Sequence, residues 1–220
     1  MKKEERKKEI MDTSLRLFLT KGFEETSIQN IIDEISISKG GFYHHYKSKN
    51  ELLDAIALKK AEDYVHLWRN LKEYTSLSGK EKFIEIFRIS NNIKIRHFDE
   101  TIALWSILYE EKNLRFRIRL LEKQIEYSIP VIAPYVQQAI DEGDFDTPYP
   151  EESVALIIRY SDKMMETILP LLIQAKEDKG IIPQIYEKYH FMFFIMERVL
   201  GAEKGSIAIF PPNYLEDIYK

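Results

Sequence analysis

The sequence of 220 residues contains no cysteine. Structural disulfides and cysteine-based zinc sites are therefore excluded, which fits a reducing compartment. Glycine and proline are scarce, with eight residues each, and the chain shows no internal repeat and no low-complexity tract. With 45% apolar and 31% charged residues, the composition is that of an ordinary globular protein.

Long apolar runs are also missing. The longest, such as Phe191–Met196, are far too short to cross a bilayer, which takes about 20 residues. The first ten residues, MKKEERKKEI, are charged and lack the apolar core of a signal peptide. We therefore expect a cytoplasmic protein without a membrane partner.

The sequence lacks the short motifs that mark common catalytic sites. It has no G-x-S-x-G, no P-loop, no H-E-x-x-H and no glycine fingerprint for dinucleotides. The adjacent carboxylates Glu110 and Glu111 stand among charged residues, as is typical of a solvated surface. We expect no enzyme activity, no cofactor and no metal site.

Acidic residues are missing from one short segment of a chain that is acidic overall. The net charge is −4, but residues 1–50 hold ten basic and eight acidic residues, so the remainder carries −6. Between Ser38 and Lys49 there are three lysines, two histidines and two glycines, and no Asp or Glu. This local patch is the feature that could meet a polyanion.

Apolar residues recur at helical spacing along nearly the whole chain. The spacing predicts an all-α protein of about nine helices, which lie near 10–21, 27–35, 38–45, from 49 onward, 81–97, 100–110, 114–141, 150–179 and 183–200. Pro130 and Pro134 are expected to kink the seventh of these helices. Residues 202–220 show no clear pattern.

Two short predicted helices follow a longer one and are joined by a tight turn, which is the layout of a helix-turn-helix. Thr26 and Gln29 are expected to form a capping box at the start of the first, and Ser38 to cap the second. Phe42 and Tyr46, four residues apart, would anchor the second helix. In such units the second helix enters the major groove of DNA.

The polar residues of the second short helix suit contact with DNA. Two glycines, Gly40 and Gly41, each weaken a helix by roughly 1 kcal/mol, which makes sense where the backbone must approach another surface. His44 and His45 are compatible with hydrogen bonds in the groove and, equally, with two exposed side chains of no special role. Phosphate contacts are expected from the lysines of this segment, Lys39, Lys47 and Lys49.

Residues 10–56 resemble the TetR family of tetracycline-repressor-like transcriptional regulators. Three stretches carry the resemblance: Thr26-Ser27-Ile28 followed by Ile31, the run SKGGFYHHY from Ser38 to Tyr46, and the run KSKNEL from Lys47 to Leu52. In the family these correspond to the first helix of the helix-turn-helix, the recognition helix and the entry to the fourth helix.

Three positions depart from the family pattern. Ile32 and Ile35 stand where small residues are usual, and Ser36 stands where glycine is usual. A serine at a left-handed turn position costs free energy relative to glycine. The larger isoleucines should change how the two short helices pack, and so alter the angle of the recognition helix.

The resemblance implies a DNA-binding site. Phosphates would be bound by Tyr43, by Lys49 and by the amide end at Thr26 or Ser27, whereas base edges would face Ser38, Lys39, Gly40 and His44. The complete predicted set is Thr26, Ser27, Ser38, Lys39, Gly40, Gly41, Tyr43, His44, His45, Lys47 and Lys49.

Two helices near the end of the sequence are apolar on most of their circumference. Such helices are either central in the core or buried by a partner. The resemblance favours a partner, because in TetR-like proteins these helices form a four-helix bundle with their twins. A two-fold dimer places its recognition helices about 34 Å apart, which implies a palindromic operator. The predicted dimer interface consists of Ile157, Ile168, Phe191, Phe194, Ile195 and Val199.

Large side chains of the middle helices could line a cavity for a small-molecule effector, as the resemblance implies. For any single one of them, an ordinary place in the core is the better expectation. A helix kinked at Pro130 and Pro134 would open space beside it, and pockets need a few polar anchors. The predicted effector-binding set is Trp68, His97, Trp105, Tyr109, Tyr127, Arg159 and Met164.

The sequence thus predicts a helix-turn-helix DNA-binding domain at 1–50 and a helical effector-binding and dimerisation domain at 51–220. The predicted function is that of a ligand-responsive transcriptional regulator, a repressor that binds a palindromic operator in double-stranded DNA as a homodimer. The alternative is a helical small-molecule-binding or interaction protein with weak or lost sequence-specific DNA binding. The three departures and the weak overall basicity of residues 1–50 slightly favour that alternative, whereas the lysines and glycines between Ser38 and Lys49 count against it.

Overall fold

The computed structural model describes residues 3–68, 76–211 and 213–219. Within these ranges the chain is all-α, which confirms the predicted class, and it contains no strand. The ten α-helices are α1 Lys3–Lys21, α2 Ile28–Glu34, α3 Lys39–Tyr43, α4 Lys49–Trp68, α5 Gly79–Arg96, α6 Phe98–Leu108, α7 Leu114–Asp141, α8 Pro150–Gln174, α9 Ile182–Leu200 and α10 Tyr214–Ile218. The tenth lies in the part of the sequence that shows no clear pattern.

Local sequence accounts for where several helices begin and end. Ser78 caps α5, because its hydroxyl accepts from the amide of Glu81 while the Glu81 carboxylate accepts from the amide of Ser78. Pro150 begins α8, where its missing N–H costs nothing. Gly201 ends α9 at a φ of 64°, the left-handed conformation that favours glycine.

Contacts group the chain into two compact units. The first consists of Met1–Glu62 with Leu104–Gln124, and the second of Asp63–Ala103 with Ile125–Lys220. The predicted boundary at residue 50 lies inside the first unit. The division of the chain into a DNA-binding and an effector-binding domain at that residue stays a prediction.

The first unit has one apolar core. Twelve side chains from α1, α2, α3, α4, α7 and the turns after α1 and α3 are buried in it: Ile10, Leu17, Phe18, Phe23, Ile31, Ile32, Phe42, Tyr46, Leu52, Leu53, Ile56 and Phe116. The Phe18 ring meets the rings of Phe23 and Phe116 edge-on, with centroids 5.0 and 6.1 Å away. Burying one such ring contributes about 1.5–3 kcal/mol, so this cluster fixes the short helices that could not persist alone.

In the second unit α8 packs along α9, and α5 approaches α7 very closely. A Cβ on Gly79 would lie 2.3 Å from the amide nitrogen of Ala139, so only glycine fits at the start of α5. The Glu142 carboxylate also accepts from the Gly79 amide at 2.7 Å. Helix α7 remains helical through Pro130 and Pro134.

The segment that follows α9 is packed rather than loose. Ile207 and Ile209 are buried, and so is Glu197 of α9. The Glu197 carboxylate accepts from the amides of Gly205 and Ile207, at 2.8 and 3.3 Å. A buried carboxylate is costly unless such donors satisfy it, so this pair of bonds holds the C-terminal segment against α9.

Candidate nucleic-acid interface

The helix-turn-helix is built by α2, α3 and the turn between them. Ser27 caps α2: its hydroxyl accepts from the amide of Asn30, and the Asn30 side chain accepts from the amide of Ser27. The predicted capping box from Thr26 to Gln29 is therefore wrong by one residue. The Thr26 hydroxyl is fully buried and donates instead to the Gly22 carbonyl at 2.7 Å, so it closes the turn after α1.

The turn between α2 and α3 carries backbone strain at Ser36, whose φ is +51°. This is the left-handed conformation that was expected there and that glycine adopts without cost. Ile32 is buried and Ile35 is half-buried. The larger isoleucines are thus accommodated in and beside the core.

Helix α3 is anchored on one side and open on the other. It is shorter than predicted, five residues, and the Ser38 hydroxyl caps it by accepting from the Gly41 amide at 3.0 Å. Phe42 and Tyr46 are buried in the core of the first unit, as their spacing predicted. Burial also raises the pKa of Tyr46 to about 12.

Helix α3 and the turn after it expose polar groups that no described ion pair occupies. Among the described residues, the Lys39 and Lys47 ammonium groups have no carboxylate within 4.0 Å, and both side chains are exposed. Tyr43 is 44% exposed, His44 is exposed, and its ring meets His45 edge-on at 5.2 Å. These groups can donate hydrogen bonds to an anionic surface.

The two glycines of α3 differ in how much room surrounds them. A Cβ on Gly40 would have one neighbour within 4 Å, the Ser38 hydroxyl at 4.0 Å, whereas one on Gly41 would lie 3.3 Å from the same atom. Neither glycine has a positive φ. Nothing in the described chain therefore requires glycine at position 40, so the requirement, if one exists, comes from outside the chain.

Lys49 is engaged within the protein. Its ammonium donates to the carbonyl oxygens of Phe23 and Glu24, at 2.6 and 3.2 Å, and lies 4.3 Å from the centroid of the Phe23 ring. Burial lowers the pKa of this ammonium. Lys49 thus ties the start of α4 to the end of the α1 turn, and its predicted phosphate contact stays a prediction.

A brace from the turn before α7 holds the end of α1, and no sequence pattern indicated it. Asn113 is fully buried and donates to the carbonyls of Leu19 and Ile107, at 3.3 and 2.9 Å. Lys112 donates to the Thr20 carbonyl at 3.2 Å. The bonds to Leu19 and Thr20 satisfy carbonyl groups that the end of α1 leaves unpaired, and the bond to Ile107 does the same at the end of α6.

The first turns of α7 add charged contacts to this brace. Arg115 donates to Glu24 at 3.0 Å and to Asn50 at 3.1 Å. Arg119 grips both carboxylate oxygens of Asp54 and holds the pKa of that carboxyl below its usual value. No local pattern signals these contacts, because the partners lie 65 to 94 residues apart.

The predicted effector-binding residues do not gather around one described cavity. In the second unit Trp68 is buried and donates to the Ser90 hydroxyl at 3.1 Å, Met164 is buried, Tyr127 is half-buried and Arg159 is exposed. Trp105 and Tyr109 belong to the first unit. The lining of an open cavity of about 520 Å³ includes one member of the set, His97. The effector assignment stays a prediction.

The predicted dimer residues divide by exposure. Ile157 and Ile168 are buried within the second unit, so their side chains already have partners in their own chain. Phe191 and Phe194 are 50% and 42% exposed, and Ile195 and Val199 are half-buried. The sequence pattern marks all of them as apolar and cannot tell the two groups apart, because only packing decides which side of a helix is covered.

No cluster of three or more His, Cys, Asp and Glu residues in residues 3–68, 76–211 and 213–219 could hold a metal ion. No helix in that part of the chain is both long and apolar enough to cross a membrane.

Comparison with known proteins gives a consistent result. Residues 10–56 match the profile described as bacterial regulatory proteins of the tetR family. The uncharacterized HTH-type transcriptional regulator YfiR of Bacillus subtilis is 22% identical over 196 residues, which cover 84% of this chain and 88% of that protein. The HTH-type transcriptional repressor KstR2 of Mycobacterium tuberculosis is 22% identical over 155 residues, 70% of this chain and 75% of that protein.

Solved structures share the fold. A putative TetR-family transcriptional regulator from Syntrophomonas wolfei has a TM-score of 0.64 at 17% identity, and the match covers 93% of this chain and 100% of that one. FadR of Bacillus subtilis, solved in complex with stearoyl-CoA, has a TM-score of 0.54 at 14% identity and covers 87% of this chain and 96% of its own.

Proposed function

Because this chain belongs to the tetR family of bacterial regulatory proteins, we propose that it is a ligand-responsive repressor of transcription. A homodimer binds a palindromic operator in double-stranded DNA and leaves it when a small-molecule effector binds. Such a protein works where the DNA is, in the cytoplasm, and it is not an enzyme.

The open side of α3 is the observation that carries the proposal. Lys39 and Tyr43 are exposed on a helix whose other side is fixed in the core, and His44 and Lys47 are exposed in the turn that follows it. Because no described carboxylate pairs with the two lysines, they are available to phosphates. In a helix-turn-helix the second helix enters the major groove, where a histidine can hydrogen-bond to base edges.

An exposed apolar ridge on α8 and α9 supports the homodimer. Leu156, Phe191 and Phe194 are each between 42% and 50% exposed. The Phe191 and Phe194 rings stack at 6.2 Å, and Tyr160 meets Phe191 edge-on. Contiguous exposed apolar groups mark interaction sites, and a second copy of α8 and α9 would cover these. Ile195 and Val199 would join this ridge, whereas Ile157 and Ile168 would support it from beneath.

Repression and effector release are supported by the relatives' names rather than by this chain's geometry. KstR2 is named a transcriptional repressor, and FadR was solved with stearoyl-CoA. In this chain the second unit would hold the effector. The predicted effector set of large side chains remains the starting point for mutagenesis there.

The experiment is selection of bound fragments from a random pool of DNA duplexes, followed by titration of the selected sequence at several salt concentrations. We expect a palindrome and a steep salt dependence, with log K falling by about 0.9 per phosphate contact for each tenfold rise in salt. His44→Ala should relax the sequence preference at a fixed pair of positions. Recovery of no motif, with weak binding only, would favour a helical ligand-binding protein that no longer recognises an operator.

A further inference from the structure

A second cavity in the second unit lies between α5 and the C-terminal segment. Its volume is about 430 Å³, within the usual range for small-molecule sites. One wall is a face of α5, and the other is formed by residues 208–211 and by Tyr214. The lining includes Arg88, Asn91, Asn92, Phe210, Pro211 and Tyr214.

Polar groups without protein partners converge on this cavity. In the described part of the chain, the carboxamides of Asn91 and Asn92 make no hydrogen bond, and neither does the Tyr214 hydroxyl. Burial raises the pKa of Tyr214, so this hydroxyl remains a donor at neutral pH. Asn91 and Tyr214 are half-buried and Asn92 is exposed, so their polar groups can form hydrogen bonds with a molecule that enters the cavity.

Arg88 supplies the positive charge. One terminal nitrogen donates to the Ala208 carbonyl at 3.1 Å, and the other lies 3.7 Å from the Glu85 carboxylate, beyond a good hydrogen bond. A guanidinium has five N–H donors. Glu85 offsets part of the positive charge, but its distance leaves the remaining N–H groups able to donate to an anion, and the contact with Ala208 holds the guanidinium at the cavity wall.

The aromatic side of the cavity is already assembled. The Phe210 ring stacks on Tyr214 with centroids 4.3 Å apart and also contacts the rings of Tyr189 and Phe193, at 4.6 and 5.4 Å. Glu197 anchors the preceding segment through two amides. A ligand would thus meet a preformed flat wall, which lowers the ordering cost of binding.

We propose that this cavity binds a small planar molecule that carries a carboxylate. The carboxylate lies against Arg88 and the two asparagines, and the planar part lies against Phe210, Pro211 and Tyr214. Arginine prefers carboxylates because two parallel N–H groups match two oxygens. The site stands as a binding site by itself; its assignment as the effector site rests on the proposed function.

The other described cavity of this unit does not have this chemistry. There Lys176 pairs with Asp99 at 2.5 Å, and His97 pairs with Glu100 at 2.8 Å. The Tyr219 hydroxyl donates to the Leu172 carbonyl at 2.7 Å. Its polar groups are largely satisfied within the chain, and positive charge there is matched by negative charge.

The test is isothermal titration of the full-length protein with cinnamate and with cinnamamide, which has the same shape and no charge. We expect cinnamate to bind about tenfold or more tightly than the amide. Arg88→Gln should weaken cinnamate binding by about tenfold to a hundredfold and leave the amide unchanged. Asn92→Leu should weaken cinnamate binding severalfold. Arg96→Gln, in the other cavity, is the matched control and should change nothing.

Equal binding of the acid and the amide, or no binding of either at millimolar concentration, would overturn the proposal. So would an Arg88→Gln variant that melts like the wild type and binds cinnamate as well. Because the titration contains no DNA, its result is independent of operator selection. Binding of cinnamate by a protein that selects no operator would leave this inference intact and refute the proposed function.

Discussion

The ammonium of Lys49 donates to the main-chain carbonyl of Phe23 at 2.6 Å and lies 4.3 Å above the ring of the same residue. One side chain at the start of α4 thus fixes the turn that follows α1, 26 residues earlier. In sequence Lys49 looks like Lys47, since both stand in the same basic run. In the structure Lys47 is exposed and Lys49 is occupied.

Substituting these two lysines should separate folding from DNA binding. Lys49→Met removes a charge-assisted hydrogen bond and a cation–π contact, so we expect the free energy of unfolding to fall by about 1–3 kcal/mol. Lys47→Gln should change the free energy of unfolding by no more than about 0.5 kcal/mol. It should reduce the slope of log K for operator binding against log salt concentration by about one. Urea unfolding and salt titrations measure the two effects. A Lys49→Met variant of unchanged stability would show that the contacts of Lys49 with Phe23 and Glu24 do not stabilise the protein.

Gly40→Ala tests whether α3 approaches DNA closely. The new methyl group meets no atom of the chain nearer than 4.0 Å, and alanine favours a helix by about 1 kcal/mol over glycine. The variant should therefore be as stable as the wild type or more so. Its affinity for the selected operator should nevertheless fall by about tenfold or more, because the methyl group would meet the groove wall. Gel-shift titration measures this, and an unchanged affinity would mean that the glycine is not needed for contact.

Ser36→Gly should stabilise the protein. Ser36 adopts a φ of +51°, and a left-handed residue with a Cβ costs about 1–2 kcal/mol. Part of that gain is offset by the greater freedom of glycine in the unfolded chain, so we expect about 0.5–1 kcal/mol. The reverse change, Gly205→Ser, places a serine at a φ of +79° in open space and should destabilise by a similar amount. Thermal unfolding of both variants measures the two changes in stability. A change of the same sign in both would contradict the expected cost of a Cβ at a positive φ.

Phe194→Ser should dissociate the proposed dimer. The ring is 42% exposed, stacks with Phe191 and lies under the Arg198 guanidinium at 5.3 Å, so its loss removes apolar area from the proposed interface without opening the core. Light scattering should report a monomer, and operator affinity should fall by about tenfold or more because one protomer reaches one half-site. Ile93→Ser, an equally exposed apolar residue on α5, is the control and should remain dimeric. A dimeric Phe194→Ser variant would place the interface elsewhere.

The sequence by itself determined the parts of this protein that depend on neighbours along the chain. The cap at Ser38 and the buried pair Phe42 and Tyr46 follow from short-range rules, because a helix of 3.6 residues per turn relates residues three or four apart. The helix-turn-helix was recognisable for that reason, and the all-α class with it.

Tertiary structure decided what residues far apart in the sequence do to each other. Lys49 and Lys47 differ because only Lys49 contacts Phe23 in the folded chain. Asn113 braces α1 because it donates to the carbonyl of Leu19, 94 residues away in the sequence. Likewise, only packing decides that Ile157 is buried whereas Phe194 is exposed. The cavity beside Arg88 has one wall from a segment that lies 120 residues further along the chain, where the Ala208 carbonyl accepts from Arg88. Periodicity carries no information about such pairs, since burial and hydrogen bonding between distant segments arise only when the helices assemble.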